Sequence, residues 1–396
     1  MVNLPRLLFL SSESPHTQAP GAIVFHRLLR DYPAERLLVV TNHPPAEGAD
    51  RLACRYETVP LLADRLNRTR FWSWKAALRS LGGPDLIRLA PIESVLRGFR
   101  PEVVATLMQD SWYYDLAARF ARKHRLPLCL FIHDLPHGFE PVGPWLAGRQ
   151  VARDRAVYRQ AALRLAISPG MAEWLKEHYA APCDVLLPPR DDSLVQAAGA
   201  ALSLKTPGRL TLGYAGGLHY GYGEQLLRML PVLRETGTRL EYFGPQPGGA
   251  VAALGDATDV IRFNGYARTP GDAWRALLER CDIVLQPYLN PPGAHELQYR
   301  THFPSKLGDC LSLGLPLLVT GPAFASGAAW CRDRNEVACL VTDPSPAALR
   351  QALLDLKDNT ARRIELARRA QAAAAEFDAP ALRRRFHEIL LRPPAR

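Results

Sequence analysis

Four stretches of the sequence gather residue types able to do chemistry. The first is Gly213-Tyr214-Ala215-Gly216-Gly217-Leu218-His219-Tyr220-Gly221-Tyr222-Gly223. It follows an apolar run and leads into a helical pattern over 224–234. Glycines there let backbone N–H groups close on a phosphate, and a helix N-terminus favours its charge. The run is neither the dinucleotide fingerprint GxGxxG nor a P-loop, and the same glycines would serve in a surface turn. The second stretch runs from Phe303 to Val319. Pro304 suits a helix start because its missing N–H would be unpaired anyway. Gly314 stops that helix and Pro316 leads into a strand. Ser305 and Lys306 beside the free N–H groups of a helix start suit a diphosphate. Asp309, one turn on from Ser305, could accept both hydroxyls of a ribose. An ordinary helix with a Lys–Asp surface pair would use the same residues.

The third stretch is Phe131-Ile132-His133-Asp134, a strand end followed by two polar side chains. These either face a ligand or cap the loop. The fourth is 61–100, where Arg65, Arg68, Arg70, Lys75, Arg79, Arg88, Arg97 and Arg100 stand against Asp64, Asp85 and Glu93, with Phe71, Trp72 and Trp74 interleaved. Cations beside aromatics suit an anionic membrane interface. They equally suit a solvated helix face whose aromatics enter the core. No nucleic-acid motif accompanies them.

Short apolar runs alternating with helical patterns must position these groups. Strands are expected at 7–10, 37–41, 103–107, 128–132 and 163–167. A second series is expected at 210–215, 240–243, 260–263, 283–286, 317–320 and 339–341. Such alternation implies parallel strands with crossover helices. The pattern breaks at Pro188-Pro189-Arg190 and the small-residue run Ala197–Ala201. The expected division is an N-terminal domain 1–190, a linker 191–206, a second domain 207–378, and a final helix 379–396 behind Asp378-Ala379-Pro380. Ligands in open parallel sheets bind at the carboxyl ends of the strands.

A chain of 396 residues, 47% hydrophobic and 22% charged, has ordinary globular composition. That excludes a mostly disordered, collagen-like or coiled-coil chain. No apolar run approaches the ~18–20 residues of a membrane-spanning helix. The apolar start, Leu4–Leu10, reads as a buried strand rather than a secretory signal. A net charge of +10 favours anionic partners. Seven cysteines, Cys54, Cys129, Cys183, Cys281, Cys310, Cys331 and Cys339, include no CxxC pair, which fits a reduced cytosol.

The run Pro304-Ser305-Lys306-Leu307-x-Asp309, continuing to Gly314-x-Pro316, resembles the donor-sugar-nucleotide motif of GT-B glycosyltransferases, especially the retaining family four. Tyr214-Ala215-Gly216-Gly217-Leu218 resembles that family's glycine loop. Ile261–Tyr266, Cys281–Tyr288 and Ala166–Met171 resemble further segments in the same order. The resemblance spans roughly 100–390. It implies an α/β fold of GT-B architecture, with two Rossmann-like domains facing across a cleft. It also implies a nucleoside-diphosphate sugar as donor, no metal or other cofactor, and a glycan or lipid-linked hydroxyl as acceptor.

Carried over residue by residue, Gly216 and Gly217 approach the diphosphate or the sugar, with His219 near them. Ser305, Lys306 and Leu307 surround the diphosphate. Asp309 stands for the family's glutamate on the ribose, and Gly265 and Tyr266 sit by the base. His133, with Asp134, contacts the transferred sugar. Two features depart from the pattern. Thr301 occupies the place of the family's first glutamate, with His295 and Glu296 nearby. The basic pair that follows the glycine loop is absent, so neutralisation of the diphosphate rests on Lys306, helped by Arg300 or His302. The expected function is a hexosyltransferase of bacterial surface polysaccharide or glycolipid synthesis. The expected location is cytoplasmic, peripheral at the inner membrane face through 61–100, with no nucleic-acid partner. A non-catalytic sugar-nucleotide-binding or scaffold protein on the same fold is the alternative.

Overall fold

Runs of Leu, Val and Ile become parallel strands because both faces of each sheet are covered by helices. In the computed structural model, residues 3–44, 48–69, 71–109, 112–135, 142–196 and 203–392 are described. The chain divides into two units: Met1–Pro188 with Thr301–Phe303 and Pro380–Arg396, and Pro189–Arg300 with Pro304–Ala379. Much of the expected linker, 197–202, lies outside the described residues.

The first unit holds β1 (Leu7–Leu10), β2 (Leu37–Thr41), β3 (Arg55–Thr58), β4 (Val103–Leu107), β5 (Leu128–Ile132), β6 (Leu163–Ala166) and β7 (Asp184–Val185). Their order in the sheet is β3-β2-β1-β4-β5-β6-β7. Alternate residues enter opposite cores. Leu8, Leu10 and Leu130 meet Phe120 and Tyr158 on one face. Phe9, Val39 and Phe131 meet Phe25 on the other. The final helix, Ala379–Leu390, puts Leu382, Phe386 and Ile389 into this second core. Arg383 fastens it through Asp31 at 2.7 Å. The edge strands β3 and β7 carry no signal in the sequence. They are short and only partly covered, so neither needs an apolar run.

The second unit holds β8 (Thr211–Ala215), β9 (Arg239–Phe243), β10 (Ile261–Phe263), β11 (Ile283–Pro287), β12 (Leu317–Thr320) and β13 (Cys339–Val341). The order β10-β9-β8-β11-β12-β13 reverses direction between β8 and β11, both parallel. Such a switch point is where open sheets of this kind take their ligands.

The basic stretch 61–100 divides in two. Arg79, on the helix Trp72–Ser80, is not on the surface. Its Nε donates to Asp115 Oδ2 at 2.6 Å and its Nη2 to Asp154 Oδ1 at 2.7 Å, with the guanidinium 4.5 Å from the Tyr114 ring centre. Lys75 is likewise buried, 3.1 Å from Asp64. The sequence reading treated both as surface cations because their acidic partners lie elsewhere in the chain. On the outside, Leu62, Phe71, Trp74, Leu78, Leu81 and Leu86 remain exposed, with Arg65 and Arg88 beside them in sequence and exposed. Arg70 lies outside the described residues.

Removing one partner of a buried ion cluster strands the others without compensation. Arg79→Met is therefore expected to cost about 3–5 kcal/mol in urea unfolding. An exposed cation such as Arg88→Gln should stay within about 0.5 kcal/mol. Equal effects for the two would show that Arg79 is not a core ion.

Candidate active site

β8 ends at Ala215 and the chain turns at once through Gly216, whose φ is +152°. A Cβ there would stand 2.6 Å from Lys306 Nζ, so only glycine admits the lysine. The Lys306 ammonium donates to the Ala215 carbonyl at 2.7 Å and lies 3.9 Å from the Tyr214 ring centre. No carboxylate pairs with it among the described residues. Loss of water pulls its pKa down to about 8. A cation so placed is short of one anion.

Two tyrosines shape the loop beside it. Tyr214 Oη donates to the Gly217 carbonyl at 2.5 Å, and Tyr242 Oη to the Gly216 carbonyl at 3.1 Å. The loop carbonyls are thereby occupied from the sheet side. Gly244, at the end of β9, backs the same turn, since a Cβ on it would meet the Gly216 oxygen at 2.3 Å. Its N–H donates to the Gly265 carbonyl at 3.0 Å, which links the loops after β8, β9 and β10. Tyr266 follows on the last of these, 78% exposed. The His219 ring packs beneath Gly217.

Tyr220 takes φ +60°, a left-handed conformation that costs a bulky residue energy. Tyr299 holds it there, donating Oη to the Tyr220 carbonyl at 2.6 Å while accepting the Leu289 N–H at 2.9 Å. The helix Tyr222–Thr236 departs from the expectation. Its first N–H groups, of Tyr222 and Gly223, donate to the carbonyls of His219 and Leu218. They are therefore spent inside the loop.

The helix expected from Pro304 begins instead at Leu307 and ends at Ser312, with Lys306 at its N-cap. The chain over Thr301–Phe303 belongs to the first unit, so winding starts only after a turn closed by the Leu307 N–H on the Pro304 carbonyl. Leu307 is buried and Ser305 half-buried. Asp309 is buried, and its Oδ1 accepts the Asp191 N–H at 2.7 Å. That carboxylate thus anchors the incoming chain, a role its spacing did not reveal.

His133 and Asp134 follow β5 in the first unit. The His133 ring stacks on Phe25, centroids 5.0 Å apart and nearly parallel. Burial pulls its pKa down to about 4, partly opposed by Asp134. The imidazole is therefore neutral at physiological pH, a hydrogen-bonding group rather than a charge. The sequence reading missed Gly244, Tyr242 and the Tyr220–Tyr299 lock. Only Gly244 left a sign, a glycine closing a strand as Gly216 does.

Known proteins place this geometry. Residues 21–190 match the model of the glycosyl transferase 4-like domain. No curated protein sequence matches the chain. Among solved structures it resembles Anabaena HepE in complex with UDP and glucose (15% identity, 97% of this chain and 98% of that one, TM-score 0.65). It also resembles WaaG, a glycosyltransferase of lipopolysaccharide biosynthesis (14% identity, 98% and 100% covered, TM-score 0.64). A third is a trehalose-6-phosphate synthase studied for glycosyl transfer with retention (15% identity, 97% and 98% covered, TM-score 0.61). The fold is GT-B. Within that fold, the match to the glycosyl transferase 4-like domain falls on the N-terminal part of the chain.

A lysine with a depressed pKa weighs on the fold wherever it is protonated. Between about pH 8 and 10.5 the unfolded chain binds more protons at Lys306 than the native one, so this lysine's contribution to stability rises with pH. Lys306→Met should be more stable than the parent at pH 7 by roughly 1–2 kcal/mol. The gap should close as the pH approaches 10. Denaturant unfolding of both proteins across that range is the check; a gap independent of pH would contradict it.

Proposed function

We propose that the chain transfers a hexose from a nucleoside-diphosphate sugar to a hydroxyl of a glycan or lipid-linked acceptor, with retention of configuration. The observation that carries this is the Lys306 ammonium, without a carboxylate partner, against the open turn at Gly216. A diphosphate supplies the missing anion, and its binding offsets the desolvation that depresses the lysine's pKa. Gly216, Gly217 and His219 border the diphosphate and sugar, with Ser305 and Leu307 shaping the other side. Gly265 with the exposed Tyr266 takes the base. The neutral His133, with Asp134 beside it, faces the transferred sugar. The protein then contributes chiefly position and charge stabilisation, with the leaving diphosphate receiving the acceptor's proton. No metal takes part.

Support for the donor class comes from the HepE structure, a complex with UDP and glucose. Retention is supported by the trehalose-6-phosphate synthase work, and a surface-glycan acceptor by WaaG.

Titration with UDP, GDP, ADP and dTDP, each with and without magnesium, tests the donor site by melting temperature. One nucleotide is expected to stabilise the parent without metal, and at a hundredfold its Kd by about 2.7 kcal/mol. Lys306→Ala should abolish the shift. Turnover of the matching sugar nucleotide follows as release of the nucleoside diphosphate. If none of the four shifts the melting temperature, the donor-site assignment is wrong.

The exposed apolar surface around Leu62, Phe71, Trp74 and Leu86 adds a place for an anionic membrane surface, where Trp and Arg side chains seat at headgroup level. The protein works there on the cytoplasmic face. No helix among the described residues is long and apolar enough to cross a membrane. Sedimentation with phosphatidylglycerol-containing vesicles is expected for the parent, and Trp74→Ser with Leu86→Ser should weaken it at least about tenfold. Equal sedimentation with purely zwitterionic vesicles would contradict an electrostatic component.

A further inference from the structure

The chain enters the first unit for three residues, Thr301–Phe303, directly before Pro304. Hydrogen bonds to Ser168 and Asp134 help to hold this segment. Ser168, fully buried, caps the helix Pro169–Tyr179 by accepting the Met171 N–H at 3.0 Å. The same hydroxyl donates to the Thr301 carbonyl at 2.6 Å. At the next residue, His302 Nδ1 lies 2.8 Å from Asp134 Oδ1. The side chains of His302 and Asp134 are only 21% and 14% exposed, so water competes weakly for that bond. Asp134 in turn adjoins His133.

We propose that His302 is a positioning residue for sugar transfer: through Nδ1 it holds the Asp134 carboxylate and so fixes the loop after β5 that presents His133. The proposal rests on the glycosyl-transfer reading above. Beyond His133 the chain leaves the sheet, and the ring stacks on Phe25 with Phe131 edge-on beside it. Asp134 and His302 act on His133 in opposite senses, the carboxylate favouring its proton and the second imidazole opposing it. Without His302 the carboxylate loses this hydrogen bond, and the side chain that opposed protonation of His133 is gone. The ring then loses both its fixed neighbour and its balance of charge. The Ser168 bond, by contrast, engages only backbone and fixes the segment whatever residue stands at 302.

The full chain carries the test, with the sugar nucleotide whose turnover follows from the titration above. His302→Ala is expected to lower kcat tenfold or more, about the cost of a slightly misplaced group. KM for the donor should stay within about twofold. His302→Asn, which keeps an N–H within reach of the carboxylate, should recover much of the loss. Asp134→Asn should lower kcat similarly, and the double variant His302→Ala with Asp134→Asn should be no slower than either single one. An unchanged kcat, a rise in KM in place of the fall in kcat, or losses that multiply would overturn the proposal.

A second readout needs no turnover. In side-chain NMR of the histidines, His302→Ala should move the His133 ring signals and leave those of His26 in place. Unmoved His133 signals overturn the proposal even if no donor is found. Failure to find a donor, with His133 responding, overturns the transfer reading alone.

Discussion

An ammonium group partly withdrawn from water and set against a carbonyl oxygen and an aromatic face is costly to fold around. The second unit is arranged to keep one. Lys306 reaches the end of β8 because Gly216 has no side chain to block it. Tyr214 lies under its charge, and the hydroxyls of Tyr214 and Tyr242 take the carbonyls of the turn. Gly244 fills the space behind at backbone distance. A larger residue at 216 or 244 would separate the loops that the sheet brings together.

The first unit handles charge in the opposite way. Arg79 is buried with Asp115, Asp154 and the Tyr114 ring about it. It is a closed ion cluster that binds three helices and offers nothing to a ligand. His133 is kept neutral by burial against Phe25. One unit thus carries an open cation and the other closed ion pairs with a neutral imidazole.

The connection of the chain is part of the design. The final helix returns to the first unit through Leu382 and Phe386, and Thr301–Phe303 visits that unit between two helices of the second. The cost of the second excursion is visible in the short helix that begins at Leu307, three residues later than Pro304 would allow alone. Ser168 shows how economical the arrangement is, one hydroxyl serving as helix cap and as anchor for Thr301.

Most strands were legible in the sequence because the sheets are parallel and covered on both faces, which forces continuous apolar runs such as Leu37–Thr41 and Leu317–Thr320. β3 and β7 were not, because a partly covered edge strand needs no such run. The glycine loop and Lys306 were legible as residue types, through short-range spacing and a family likeness. Their meeting was not, since Gly216 and Lys306 are ninety positions apart and only the order β8-β11 in the sheet brings the loops together. The same holds for the partners that changed a residue's meaning: Asp115 and Asp154 for Arg79, Asp191 for Asp309, and His302 for Asp134. Local sequence determines which residues can be strand, turn or charge. Which charge ends up paired and which is left waiting depends on long-range packing, because burial decides the worth of an ion and burial belongs to the folded chain alone.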